Sequence, residues 1–69
     1  MKLHYYPETD SLYIDLSTRP SADSREISED LVADYGEDGG IVGLDIQHAS
    51  VCLDLSKVEI EHLPLPLSA

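Results

Sequence analysis

The chain has 69 residues, 42% of them hydrophobic, and a formal charge of −10 from four Lys+Arg against 14 Asp+Glu. That length allows one domain, which at this size buries only about 60% of the surface its unfolded chain exposes. So large an acidic surplus excludes direct binding of nucleic acid or anionic membrane, which depends on clustered Lys and Arg, and no apolar run approaches the ~18 residues of a membrane span.

Residues 2–6, KLHYY, alternate apolar and polar side chains, and so does LYIDLS from Leu12. Period two predicts half-buried strands, with Leu12, Ile14 and Leu16 facing a core and Tyr13 and Asp15 facing away. Between them, Pro7 fixes its own φ and biases Tyr6 to an extended conformation, while Thr9, Asp10 and Ser11 suit a turn; an antiparallel hairpin follows. Ser17 to Asp23 is a loop, since Pro20 cannot lie in a central strand. SREI is a short strand, Ser28 to Asp30 a polar turn, and LVADY a further strand. Asp38-Gly39 is a hairpin signal, because glycine supplies the positive φ of a tight turn, and IVGLDIQ follows with Val42, Leu44 and Ile46 on its core face.

The C-terminal third reads less simply. Val51, Leu55 and Val58 form one stripe of a helix capped by Ser50, predicting one or two helical turns over Val51 to Ser56, while KVEIEH alternates as a strand would. Pro64 and Pro66 make LPLPLSA an extended tail. The expected architecture is thus mainly β, with room for a small α+β variant. It is an antiparallel meander of about five strands in one domain over residues 1–62, followed by a short helical turn and a tail at 63–69. The two hairpins also resemble each other: Tyr6, Glu8 and Leu12 fall 29 residues before Tyr35, Glu37 and Ile41, and with one residue inserted Ile14, Asp15 and Leu16 match Leu44, Asp45 and Ile46. Two acidic hairpins would share such features with or without a duplication.

The chemistry-bearing residues point away from catalysis. DYGEDGG matches a calcium loop at Asp34, Asp38, Gly39 and Asp45, but Gly36 stands where a ligand is needed, and strands rather than helices flank the loop. Asp15, Asp34, Glu37, Asp38 and Asp45 are carboxylates of the right type for acid–base work, yet so small a sheet has little interior in which to set two of them apart. His48 continues the apolar face and reads as a core-edge histidine with one nitrogen bonded. Cys52 reads as a buried thiol acting as a small hydrophobe, and Tyr5 as part of the core. The single cysteine excludes an internal disulfide, and the dispersed histidines show no zinc-site spacing. The expectation is therefore no enzyme, no cofactor and no resident metal, in a cytoplasmic protein without a leader segment. A domain this small is expected to gain stability by homo-oligomerisation.

YYPETDSLYIDLS, SREI and LVADYGEDGGIVGLDIQHAS together resemble the domain of unknown function family numbered 2283. Tyr5, Pro7, Glu8, Asp10, Leu12, Tyr13, Ile14, Leu16, Ser24, Arg25, Glu26, Asp34, Tyr35, Gly39, Gly43, Ala49 and Ser50 occupy that family's pattern. The resemblance implies a compact, mainly β domain, carries no established catalytic residue, and suggests for some members an antitoxin-like role beside small toxin-like proteins. With the acidic charge, it leads to the expectation of a protein-binding module for a small basic partner. Glu37 and Asp38 would steer that encounter, and Leu63, Leu65 and Leu67 would add apolar contact. The alternatives are a self-associating homodimer without catalytic activity and a domain that binds a cation or small ligand.

Overall fold

A computed structural model describes residues 1–62 and 64. Five strands, β1 (Lys2–Tyr6), β2 (Ser11–Asp15), β3 (Asp23–Ser28), β4 (Leu31–Tyr35) and β5 (Ile41–Ile46), are followed by a single helical turn, α1 (Ala49–Cys52). They form one antiparallel sheet in the order β1-β2-β5-β4-β3. The hairpin β1-β2 and the meander β3-β4-β5 therefore join side by side, through the pairing of β2 with β5. In that pairing Ile14 stands opposite Leu44, the two residues that correspond in the internal repeat. The hairpins β1-β2 and β4-β5 are thus related by an approximate two-fold axis normal to the sheet through this pair.

The turns follow their chemistry. Pro7 to Asp10 closes β1-β2, with Asp10 at φ 53°, a left-handed conformation that Asp and Asn enter at lower cost than most residues. Gly39, at φ 83°, closes β4-β5, and its amide donates to the Gly36 carbonyl at 3.0 Å. Glu29 and Asp30 turn β3 into β4.

Because paired residues share a face of the sheet, the registers sort the side chains into two sets. One face carries Leu3, Tyr5, Leu12, Ile14, Leu31, Ala33, Leu44 and Ile46, with Arg25 at its margin over the Tyr35 ring at 5.2 Å. The other carries Lys2, His4, Tyr6, Ser11, Tyr13, Asp15, Ser24, Glu26, Val32, Asp34, Gly43 and Asp45. The apolar face is poorly covered: the buried hydrophobic residues are Leu12, Ala33, Val42 and Ala49, while Leu3 is 46% and Tyr5 40% exposed. Leu55 and Val58 approach one margin of it and line, with Leu3, Tyr5 and Leu12, a trough of ≈ 460 Å³.

Several local expectations need correction. The helix begins at Ala49 rather than Val51, so Ser50 lies inside it and does not cap it. KVEIEH forms no strand. Cys52 is exposed rather than buried, because the helix is a single turn and ends before it can present that side to the sheet. His48 has left the core face, since its own φ of 53° turns the chain out of β5. Tyr5 is half-exposed with its hydroxyl bonded to Asp10. Leu63, Leu65 and Leu67 lie outside the described residues. Among the described residues no helix is long and apolar enough to cross a membrane.

Candidate functional site

Two polar assemblies are built on this frame. The first crosses the polar face of the sheet. Tyr13 on β2 reaches diagonally over Gly43 on β5 and donates its hydroxyl to Asp34 Oδ2 on β4 at 2.7 Å, while Ser24 on β3 donates to Asp34 Oδ1 at 2.6 Å. A Cβ on Gly43 would lie 2.0 Å from the Tyr13 hydroxyl oxygen and 2.6 Å from Cζ, so no side chain fits beneath the ring. The bond to Asp34 comes first, and desolvation and the charges of Asp34, Asp15 and Asp45 follow, in pushing the Tyr13 phenol up to about 12. The phenol stays a donor at neutral pH, and this chain of contacts ties four strands together.

The second assembly fixes α1 to the turns at one end of the sheet. Asp10 accepts from Tyr5 Oη at 2.6 Å, from the Ser50 amide at 3.1 Å and from Ser50 Oγ at 2.7 Å, and its carbonyl accepts the Ala49 amide at 2.8 Å. A residue 40 positions away thus does the capping that no side chain at His48 does. These bonds, the one from Tyr5 foremost, hold the Asp10 carboxyl below its ordinary value. Asp30 binds from the other side, with its Oδ1 2.8 Å from His48 Nδ1 and its carbonyl accepting the Gln47 amide at 2.8 Å. The hydrogen bond to Asp30, then its charge, raises the His48 pKa. The Cys52 thiol lies 3.7 Å from Asp30 Oδ2, and desolvation followed by that carboxylate raises its pKa, the opposite of what activates a nucleophile.

The carboxylates singled out in the sequence are divided between these regions. Asp15 and Asp45 flank Tyr13 on the polar face, with Asp34 beyond it. Glu37 and Asp38 sit at the opposite end from α1, in the β4-β5 turn. Asp38 is committed there, paired with Arg19 and accepting the Gly40 amide at 3.0 Å, and Glu37 is exposed. Among the described residues no group of three His, Cys, Asp or Glu stands close enough to hold a metal. Sequence reasoning missed the capping role of Asp10 and the bridge over Gly43. The second had a signal, because an isolated glycine inside a strand marks a close approach; the first had none, since the two segments meet only in the folded chain.

The polar face carries a depression beside Tyr13. Tyr6, Thr9, Ser11, Tyr13, Asp45, Gln47 and His48 line a depression of ≈ 710 Å³. Ser11 and Tyr13 both line it, with Tyr13 leaning toward Asp34.

The fold and site define a single-layer antiparallel sheet with one apolar and one acidic face and a stapled helical turn. The chain belongs to the family described as "Protein of unknown function (DUF2283)", whose model matches residues 2–50. Neither a curated protein nor a solved structure matches it. The matched span holds both polar assemblies except Cys52.

Proposed function

We propose that this chain is a protein-interaction module, acting by binding rather than catalysis, which completes its core by packing its apolar face on that of a second copy. The observation that carries this is the uncovered face itself. On it Leu3 is 46% and Tyr5 40% exposed although both are paired into the sheet, and Ile14, Leu31, Leu44 and Ile46 are only half-buried. Charge placement favours a like copy despite the net −10. Asp15, Asp34, Asp45 and Glu26 lie on the other face, and Glu8, Glu29, Asp30, Glu37 and Asp38 lie in turns. On the apolar face Asp23 lies at the β3 margin, 3.3 Å from Arg25, so two such faces can meet at the ~10 Å spacing of packed sheets with no acid at their centre.

Sedimentation equilibrium over a range of protein concentrations tests this. A dimer is expected, weakened about tenfold or more by Leu44→Glu at the centre of the face, and also by Leu3→Glu at its margin, where the fold tolerates polarity. A monomer at millimolar concentration with intact strand signals removes the proposal.

A second reading, capture of a small basic protein in an antitoxin-like manner, is favoured by the acidic face that such a dimer turns outward on both sides. Its association would weaken steeply with salt.

A further inference from the structure

We infer that the depression on the polar face is a seat for an arginine side chain presented by a basic protein or peptide. This deepens the basic-partner reading by giving it a location, and it does not depend on the dimer. Three features of the depression match a guanidinium. The first is an aromatic wall: Tyr6 stands at its edge, backed by the His4 ring at 4.3 Å between centroids, and a planar cation stacks on such a face. The second is a carboxylate without a commitment. Asp45 is half-buried on the sheet and takes part in no ion pair or side-chain hydrogen bond among the described residues, unlike Asp34, Asp38, Asp10 and Asp30, each of which is hydrogen-bonded or ion-paired. The third is a set of short neutral acceptors around the rim, Ser11, Thr9 and Gln47, able to take the remaining N–H groups of a five-donor fork.

The surrounding charges agree with a cation. Asp15 and Asp34 act on the Tyr13 phenol together with Asp45, so the field over this part of the face is negative. His48 stands at the rim but is paired with Asp30, so it adds little net positive charge. Lys2 is opposite Asp15 on β2, four residues along that strand from the Ser11 row.

The depression is also a product of the fold rather than of a chance gap. Were Tyr13 to stand upright it would narrow the space above Ser11; its hydroxyl is held instead by Asp34 across Gly43. The residue that shapes the seat is thus held open by the same bond that ties the sheet.

The test is a heteronuclear NMR titration of the full chain with hexa-arginine and, as the uncharged isostere, hexa-citrulline, at low salt. Hexa-arginine is expected to shift the amides of Tyr6, Ser11, Asp45 and Gln47 selectively, and hexa-citrulline to leave them unmoved. Asp45→Asn is expected to weaken binding about fivefold, and Glu37→Gln, an equal loss of charge at the far end, by less than about twofold. Among the described residues Asp45 makes no side-chain bond to lose, so the amide spectrum of its variant should otherwise match the wild type. If hexa-arginine binds but the two variants weaken it equally, diffuse acidity is responsible and the seat is overturned while the basic-partner reading stands. If hexa-arginine does not bind, both fall.

Discussion

Replacing Gly43 by alanine puts the bridge across the polar face to a direct test. The new methyl would sit 2.0 Å from the Tyr13 hydroxyl oxygen, far inside any contact distance. Because those atoms are the far end of a side chain, the ring can swing clear while the strands stay paired. What is lost is its bond to the Asp34 carboxylate, and a hydrogen bond to a charged group contributes about 1.5–3 kcal/mol. Alanine returns about 0.5–1 kcal/mol by restricting the unfolded chain, leaving a net loss of ~1–2 kcal/mol. At ~4–8 °C per kcal/mol for a domain of this size, thermal unfolding followed by circular dichroism should fall by about 5–15 °C. A second readout isolates the cause. In alkaline absorbance titration one tyrosine of the wild type should ionise near about 12, and in Gly43→Ala that step should move back toward ~10. The sign for stability follows: because the folded value is raised, the bond's contribution is complete below ~10 and disappears as pH climbs to about 12. Tyr13→Phe should cost a similar amount, and the double variant less than the sum, since the bond can be lost once only. A Gly43→Ala protein with wild-type melting and wild-type tyrosine titration would refute the reasoning.

Two further outcomes concern α1. His48 is raised above its ordinary 6.5 and Asp10 lowered below its ordinary 3.8. The His48–Asp30 contribution is therefore complete below 6.5 and lost as pH rises through the folded His48 value, while the Asp10 contribution is present above 3.8 and lost as pH falls through its folded value. Carbon chemical shifts of Ser50 and Val51 should be most helical between those limits, and a profile flat from pH 4 to 9 would contradict the assignment. Asp10→Asn keeps the tolerance for φ 53° but removes the charge that accepts from Ser50, so α1 should loosen while the five strands keep their amide protection. Asp10→Ala should do so more severely, losing both cap and backbone preference; unchanged Ser50 shifts in either variant would exclude capping by Asp10.

The strands were legible because their signals are local. Alternation in KLHYY and SLYID, Pro20 in the loop and Asp38-Gly39 in the turn each act over a few residues, and each is found where it was expected. The partnership of β2 with β5 was not legible, since alternation says which face a residue takes and nothing about which strand lies beside it. The same limit hid the α1 boundary. Ser50 has the chemistry of a capping residue, yet the cap arrives from Asp10, and a helix of four residues offers too little periodicity to place its start. His48 and Cys52 depart from the sequence expectation for separate reasons: the apolar rhythm of β5 ends at Ile46 before it reaches His48, and Cys52 sits on a helical turn too short to carry it against the sheet. Among the carboxylates, residue type identified Asp34 and Asp45 together, but only the geometry separates the one already bound by Tyr13 and Ser24 from the one left unengaged.

The approximate two-fold relation between the hairpins carries a constraint on its own perfection. Rotation about the Ile14–Leu44 pair brings Tyr13 onto the position of Gly43. In a perfectly repeated sequence both places would hold the same residue. Two tyrosines would drive each ring tip into the space already filled by the base of the other, and two glycines would leave Asp34 with the Ser24 hydroxyl but without the Tyr13 phenol that bridges β2 to β4. A contact that crosses an axis of near-symmetry has to be made by unequal partners, so the divergence of the two halves at this point is a condition of packing the sheet and not erosion of an older likeness.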